Sequence, residues 1–110
     1  MINMVRGTTR TFAVYLTNED KEPYVLPDGA KVVFGVKKNP ENEEYLIFKT
    51  VTSVTNGVCE VNFAPADTIN LPFGRYFYDV SVESGADFYN AIEADEFWIR
   101  KNITKWGDAQ

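Results

Sequence analysis

Hydrophobic and polar residues alternate along most of the chain with a period of two, which is typical of strands that bury one face. Residues 11–17 (TFAVYLT) place Phe12, Val14 and Leu16 on one side, and the same pattern recurs in residues 31–37 (KVVFGVK), 75–83 (RYFYDVSVE) and 96–103 (EFWIRKNI), with a weaker strand at 87–92. No segment keeps a helical period for ten residues. The pattern therefore predicts an all-β protein.

The dipeptide Asn56-Gly57 separates two further strand-like runs, YLIFKTVTSVT and VCEVNF. Asn-Gly between such runs favours a type I′ hairpin turn, because both central residues of that turn have positive φ. A two-residue turn predicts that Val54 pairs with Cys59 and Thr52 with Val61. That register would place Leu46 and Phe48 on the buried face, together with Cys59, Val61 and Phe63.

Residues 65–80 read PADTINLPFGRYFYDV and predict a crossover between two sheets. Pro65 suits the first position of a single helical turn over 65–70. In the turn into the next strand, Leu71 should fill the end of the core and Pro72 should restrict the backbone. Gly74 permits an unusual backbone dihedral angle. A tyrosine after such a crossover is typical of the tyrosine corner of immunoglobulin-like sandwiches; Tyr76 is the first candidate and Tyr78 the second, with plain core filling as the alternative. We expect five residues to define the fold here: Leu71, Pro72, Gly74, Tyr76 and Tyr78.

Short strands separated by turn signals predict one domain over residues 1–110, an immunoglobulin-like antiparallel β-sandwich of about seven strands. Residues 1–6 and 105–110 carry no comparable pattern, and we expect them to be flexible ends.

The composition narrows the possible functions. The net charge is −5 and the chain has no histidine, whereas a nucleic-acid-binding protein needs a basic surface. There is neither an apolar run long enough to span a membrane nor a signal peptide, so we expect synthesis and folding in a cytoplasm. We expect no enzyme activity, no cofactor and no metal site, since imidazole chemistry is impossible and no phosphate-binding glycine loop occurs. Cys59 is interpreted as a small buried hydrophobic residue.

If the alternating faces are assigned as above, four apolar residues point outward: Tyr15, Val33, Phe77 and Trp98. Outward apolar residues on several strands predict an interaction surface, unless residues 19–28 or 2–5 cover them. Burial of this surface against another protein, or against a second copy in a homo-oligomer, is the first functional hypothesis. The alternative is a carbohydrate-binding or host-adhesion module that stacks sugars on outward aromatic residues such as Tyr89, Trp98 and Trp106.

Two motifs, DGAKV at residues 28–32 and DTINLPFGRYFYDV at residues 67–80, carry a family resemblance. Together with the segments between them, they make residues 7–104 similar to the N-terminal immunoglobulin-like domain of upper baseplate proteins from tailed phages of Gram-positive hosts. The resemblance implies a phage or prophage virion structural protein, made in the bacterial cytoplasm, whose partners are other baseplate or virion proteins. It implies no catalytic residue. Because the chain stops at Gln110 without a helical stalk, we expect a small tail, baseplate or head-associated subunit.

Overall fold

In the described part of the chain, seven strands form two sheets that face each other across a single core, and there is one helical turn. The computed structural model describes residues 1–18, 20–85 and 87–101. The strand order is β1-β7-β6-β3-β4 in the first sheet and β2-β5 in the second. The elements are β1 (Ile2–Val5), β2 (Arg10–Tyr15), β3 (Lys31–Lys37), β4 (Ile47–Val51), β5 (Val58–Phe63), α1 (Pro65–Thr68), β6 (Gly74–Ser84) and β7 (Asp87–Arg100).

The prediction of an all-β sandwich is confirmed, with one difference in strand direction. The five-stranded sheet is mixed, because β1 runs parallel to β7 and Ile2 lies opposite Phe97. The strands predicted at 87–92 and 96–103 are a single strand as far as Arg100. Two register shifts against β6, between Tyr78 and Ser81, bend this strand pair.

Phenylalanines from both sheets form the centre of the core. Phe12 and Phe63 come from the two-stranded sheet, and Phe34 and Phe97 come from the five-stranded sheet. The Phe34 and Phe63 ring centroids are 5.6 Å apart in an edge-to-face arrangement, and the Phe63 and Phe97 rings stack at 5.9 Å. These contacts join the sheets, since all four residues occupy inward positions of the period-two pattern.

The prediction that residues 1–6 form a flexible end is wrong, because residues 2–5 are strand β1. Met4 is only 1% exposed and belongs to the core, and Ile2 packs against that core. The chain therefore forms a strand with a buried side from Ile2 onward. The predicted C-terminal tail, residues 105–110, lies outside the described residues.

The Asn56-Gly57 turn forms as predicted, but its strands do not continue as a hairpin. Both central residues have positive φ, and Thr55 and Val58 exchange two backbone hydrogen bonds of 3.0 and 2.9 Å. Beyond that bridge the chain separates: β4 pairs with β3, and β5 pairs with β2. The predicted pairs of Val54 with Cys59 and of Thr52 with Val61 are therefore wrong.

The change of partner also reverses the expected face of β4. Ile47 lies opposite Val36 and is buried, whereas Leu46 and Phe48 are exposed. A local turn signal determines the turn itself, but the sheet that each strand joins depends on contacts distant in sequence.

Helix α1 carries the chain from β5 to the first sheet. The Asp67 carboxylate accepts a hydrogen bond from the Ala64 backbone N–H (2.7 Å) and lies 2.8 Å from the Lys49 ammonium. Thr68 is fully buried, and its hydroxyl accepts a 2.8 Å hydrogen bond from the Gly7 N–H. These contacts fix the crossover to β4 and to the segment that follows β1.

The turn into β6 holds the residues that the sequence singled out. Leu71 packs against the core, and Gly74 has a φ of 136° that a residue with a side chain rarely adopts. Tyr76 is 1% exposed, and its hydroxyl donates a 2.6 Å hydrogen bond to the Pro72 carbonyl, as expected of a tyrosine corner. Tyr78 also points inward, where its ring stacks on Phe34 at 5.3 Å.

Replacing Tyr76 with phenylalanine should lower the free energy of unfolding by about 1–2 kcal/mol, because the Pro72 carbonyl loses its donor while the ring stays packed. The matched control is Tyr78→Phe, since the Tyr78 hydroxyl makes no hydrogen bond to any described residue. Urea denaturation followed by fluorescence measures both variants. Equal losses in the two would contradict a special role for Tyr76.

The Asp67 contacts predict a pH dependence of stability. Burial acts to raise the pKa of Asp67, but the bonds from Lys49 and Ala64 outweigh it, and the pKa lies below its ordinary value. A carboxyl whose pKa is lower in the folded state stabilises the fold above its unfolded pKa of about 3.9, and this stabilisation is lost as the pH falls through the folded pKa. Lys49→Met should therefore cost about 1 kcal/mol at neutral pH and weaken the loss of stability below pH ~4.

The control for Lys49→Met is Lys31→Met. Lys31 pairs with Glu83 at 3.2 Å, but both side chains are at least 40% exposed. Exposed pairs contribute little, so this variant should keep wild-type stability across the same acid titration. An equal effect of both substitutions would show that net charge, and not the Asp67 contact, causes the change.

Candidate functional site

Two of the predicted interface residues meet on the outer side of the five-stranded sheet, the side facing away from β2 and β5. Trp98 on β7 lies opposite Arg75 on β6, and Phe77 is two residues along β6 on the same side. Both aromatic side chains are half-buried. The sheet therefore brings Phe77 and Trp98 together, as the alternating pattern required.

Neighbouring polar groups hold these two rings in place. The Trp98 indole N–H donates a 2.9 Å hydrogen bond to the Glu96 carboxylate, and the Arg100 guanidinium lies 4.4 Å from the Trp98 ring centroid. The Arg75 guanidinium lies 5.3 Å from the Phe77 ring. Cation–π contacts of this kind fix the rings at the surface without removing them from it.

Two aromatic residues that were not assigned to an outward surface extend the same side of the sheet. Tyr45 is 42% exposed and Phe48 is 51% exposed, and their ring centroids are 4.9 Å apart. The Tyr45 ring lies over Gly35, where a Cβ atom would overlap it, and the Lys37 ammonium lies 4.6 Å from that ring. We call Tyr45, Phe48, Phe77 and Trp98 the outer aromatic face.

Sequence reasoning missed Tyr45 and Phe48 because it placed β4 in a hairpin with β5. One signal was present in the sequence: Gly35 interrupts a strand of large β-branched and aromatic residues. Glycine inside a strand often marks the close approach of another group. Here that group is the Tyr45 ring.

The other two predicted interface residues do not belong to the outer aromatic face. Val33 points to the outer side but is only 5% exposed, lying between Thr50 and Ser81 on the neighbouring strands, so the expected exposure of Val33 is wrong. Tyr15 is 75% exposed, as expected, but it is on β2 in the second sheet. The four residues expected to form one interface therefore do not form one. Phe77 and Trp98 share the outer aromatic face, Tyr15 lies on the other sheet, and Val33 is buried.

The N-terminal residues lie beside the outer aromatic face, at the sheet edge. Asn3 on β1 is opposite Trp98, and its side-chain oxygen accepts a 2.9 Å hydrogen bond from Arg100 Nε. Asn3 thus joins Glu96 and Arg100 as a polar neighbour of Trp98.

Cations and carboxylates are mixed on the outer side of the sheet. Lys37, Arg75 and Arg100 each lie over an aromatic ring, and Arg75 also pairs with Glu96 at 3.6 Å. Asp79, which lies opposite Gly35, is half-buried. Burial raises the pKa of its carboxyl, and Lys37 acts in the opposite direction. The face thus combines exposed aromatic rings with ordered cations.

Tyr15 lines a separate cleft of about 650 Å³ between β2, the segment after it, and the β6–β7 hairpin. Among the residues that line this cleft are Tyr15, Tyr24, Tyr89, Asn18 and Asn90. The other described lining residues are leucine, threonine, proline, valine, serine and alanine, so none of the described residues that line the cleft is charged. We call it the tyrosine cleft.

The Asn56-Gly57 turn supports one wall of the tyrosine cleft. The Gly57 carbonyl accepts a 2.7 Å hydrogen bond from Leu16, and the Leu16 carbonyl accepts a 3.0 Å bond from Tyr24. Gly57 is buried, and a Cβ at this position would lie 2.6 Å from the Leu16 carbonyl oxygen. The turn that the sequence predicted therefore also positions the segment that carries Tyr24.

The aromatic residues of the carbohydrate hypothesis are not gathered at one place. Tyr89 lines the tyrosine cleft, whereas Trp98 belongs to the outer aromatic face. Trp106 lies outside the described residues.

Cys59 is fully buried in the core, as interpreted from the sequence. Burial raises the pKa of its thiol, with a smaller contribution from Glu60, so the thiol stays protonated at neutral pH. In the described part of the chain, no group of three or more cysteine or acidic side chains is arranged to hold a metal ion. The same residues include no helix with the length and apolar character needed to cross a membrane.

No protein-family model matches the sequence, and neither the curated proteins nor the solved structures include a significant match.

Gly57→Ala should destabilise the protein by more than Gly29→Ala. Both glycines have nearly the same positive φ, 77° and 79°, so the backbone strain of an alanine is matched. A Cβ at Gly57 would also press on Leu16 and Pro23, whereas a Cβ at Gly29 meets nothing within 4 Å. We expect Gly29→Ala to cost about 1 kcal/mol and Gly57→Ala at least twice that, measured by thermal unfolding. Equal losses would show that the turn does not support the wall of the tyrosine cleft.

Proposed function

We propose that this protein is a structural subunit of a phage or prophage virion, a baseplate or tail component that acts by assembly with other proteins through the outer aromatic face. The observation that carries the proposal is the exposure of Tyr45 and Phe48 beside Phe77 and Trp98 on the rigid strands of one sheet.

The composition of this face favours a protein partner. Aromatic residues and arginine are enriched in the centres of protein interfaces, and they dominate binding energy when water is excluded from them. Arg75 and Arg100 already hold the rings of Phe77 and Trp98, so little side-chain freedom remains to be lost on binding.

The virion assignment rests on the family resemblance and on the architecture of the residues that carry it. The order β7-β6-β3-β4, with β2-β5 in the facing sheet, corresponds to strands G-F-C-C′ and B-E of an immunoglobulin-type sandwich. The stretch LPFGRYFY, which belongs to the resemblance, forms the turn in which Tyr76 bonds to Pro72.

The charged groups at the rim indicate what the partner presents. Lys37, Arg75 and Arg100 lie over the rings, and the Glu96 carboxylate lies beside Trp98 and Arg75, so the partner should place charged groups of both signs around an apolar centre. A second copy can supply such groups, because the chain contains both acidic and basic residues. Contact between two different surfaces of identical subunits builds the rings that tails require.

Phe48→Lys should abolish self-assembly while the domain stays folded, because Phe48 is half exposed and lies outside the core. Light scattering over a concentration series should show a mass that rises for the wild type and stays monomeric for the variant. The matched control is Tyr15→Lys, which replaces an aromatic residue that is 75% exposed on β2, in the other sheet. Circular dichroism verifies the fold of each variant.

Assembly that persists in Phe48→Lys, or that is lost equally in Tyr15→Lys, would contradict the proposed surface. A wild-type protein that is monomeric at all concentrations would exclude a second copy as the partner. The virion assignment is then decided separately, by quantitative mass spectrometry of purified particles from a bacterium that carries the gene. The proposal requires a fixed copy number per particle, and absence from the particles contradicts it.

A further inference from the structure

We infer that the tyrosine cleft binds a neutral oligosaccharide. This site shares no residue with the outer aromatic face, and the inference does not depend on the proposed assembly function.

The size of the cleft suits a ligand of a few rings. Its volume is about 650 Å³, within the range of roughly 300–1,000 Å³ that is typical of small-molecule sites. Leu16 and Val82 are buried core residues at its base, so the floor is attached to the rigid part of the sandwich.

The lining selects against anionic ligands. A quarter of the residues in the chain are charged, yet none of the described residues that line the cleft is. A phosphate or a carboxylate would find no cation on these residues and would lose part of its hydration, which is costly. A neutral ligand avoids that cost.

The tyrosines present flat apolar surfaces with polar ends. Tyr15 is 75% exposed and Tyr89 is 54% exposed, while Tyr24 is half-buried and packs against the core. The Tyr89 hydroxyl contacts the Asp87 carboxylate at 3.3 Å, which restrains the ring. Rings of this kind can stack on the C–H face of a pyranose while their hydroxyls stay hydrated.

Polar side chains supply the hydrogen bonds that sugar hydroxyls need. The Asn18 side-chain oxygen accepts hydrogen bonds from the backbone N–H groups of Asp20 (2.9 Å) and Glu22 (3.0 Å), which fixes the orientation of the amide. Its nitrogen then has a defined direction and two N–H donors. Thr17 and Ser84 also line the cleft, and a hydroxyl group can both donate and accept a hydrogen bond.

The test is a titration of the isotope-labelled protein, followed by NMR, with three neutral trisaccharides: maltotriose, cellotriose and triacetylchitotriose. The expected result is a saturable shift of the backbone amide signals of Asn18, Tyr24 and Asn90 with at least one of them. Tyr15→Ala and Tyr89→Ala should each weaken that binding about tenfold, the loss of one stacking contact. The matched control is Tyr45→Ala, an exposed tyrosine of the outer aromatic face, which should bind like the wild type.

Three outcomes would overturn the inference. The first is the absence of any shift with all three sugars at millimolar concentration. The second is binding that Tyr15→Ala and Tyr89→Ala leave unchanged. The third is tighter binding of trigalacturonate, which would show that the site takes an anion, or of the uncharged peptide acetyl-Thr-Val-Thr-Val-amide, which would show a peptide site. Light scattering of Tyr15→Ala separates this result from assembly, because that variant should assemble like the wild type.

Discussion

The packing of phenylalanines between the two sheets is the contact on which the rest of the molecule depends. A two-stranded sheet is barely stable in water by itself, so β2 and β5 need the inner side of the larger sheet. Phe12 and Phe63 supply that contact against Phe34 and Phe97. Everything attached to β2 and β5, including Tyr15 and the Asn56-Gly57 turn, is positioned through these four rings.

The division of the chain between two sheets also explains why the outer aromatic face exists. Because β4 joins β3 and not β5, Ile47 points to the core and Phe48 points away from it. The smaller sheet covers only the inner side of the larger one, so aromatic residues on the outer side must be held by their own neighbours. The Tyr45 ring packs over Gly35, and the Arg100 guanidinium packs over the Trp98 ring.

The sequence predicted features that depend on neighbouring residues and missed those that depend on distant ones. Period-two alternation identified the inward side of β2, β3 and β6, and the turn residues identified the Asn56-Gly57 turn and the bond made by Tyr76. The partner of β4 was missed, because pairing depends on burial that a local pattern does not contain. Val33 was expected to be exposed for a related reason: alternation gives the side of a sheet but not what lies on it. The tyrosine cleft was missed because its tyrosines come from three separate segments of the chain.

The separation of the tyrosine cleft from the outer aromatic face has a consequence for binding strength. Under the proposed assembly, identical subunits whose clefts stay uncovered repeat those clefts at a fixed spacing. A ligand surface with many copies of one sugar would then be held at several points at once. Such avidity can exceed the affinity of one site by a factor of about 10²–10⁴ without any new contact, provided that the spacing of the sugars matches that of the clefts. Under the inferred sugar binding and the proposed assembly, a single cleft can therefore bind weakly and release its sugar quickly while an assembly of these subunits stays attached.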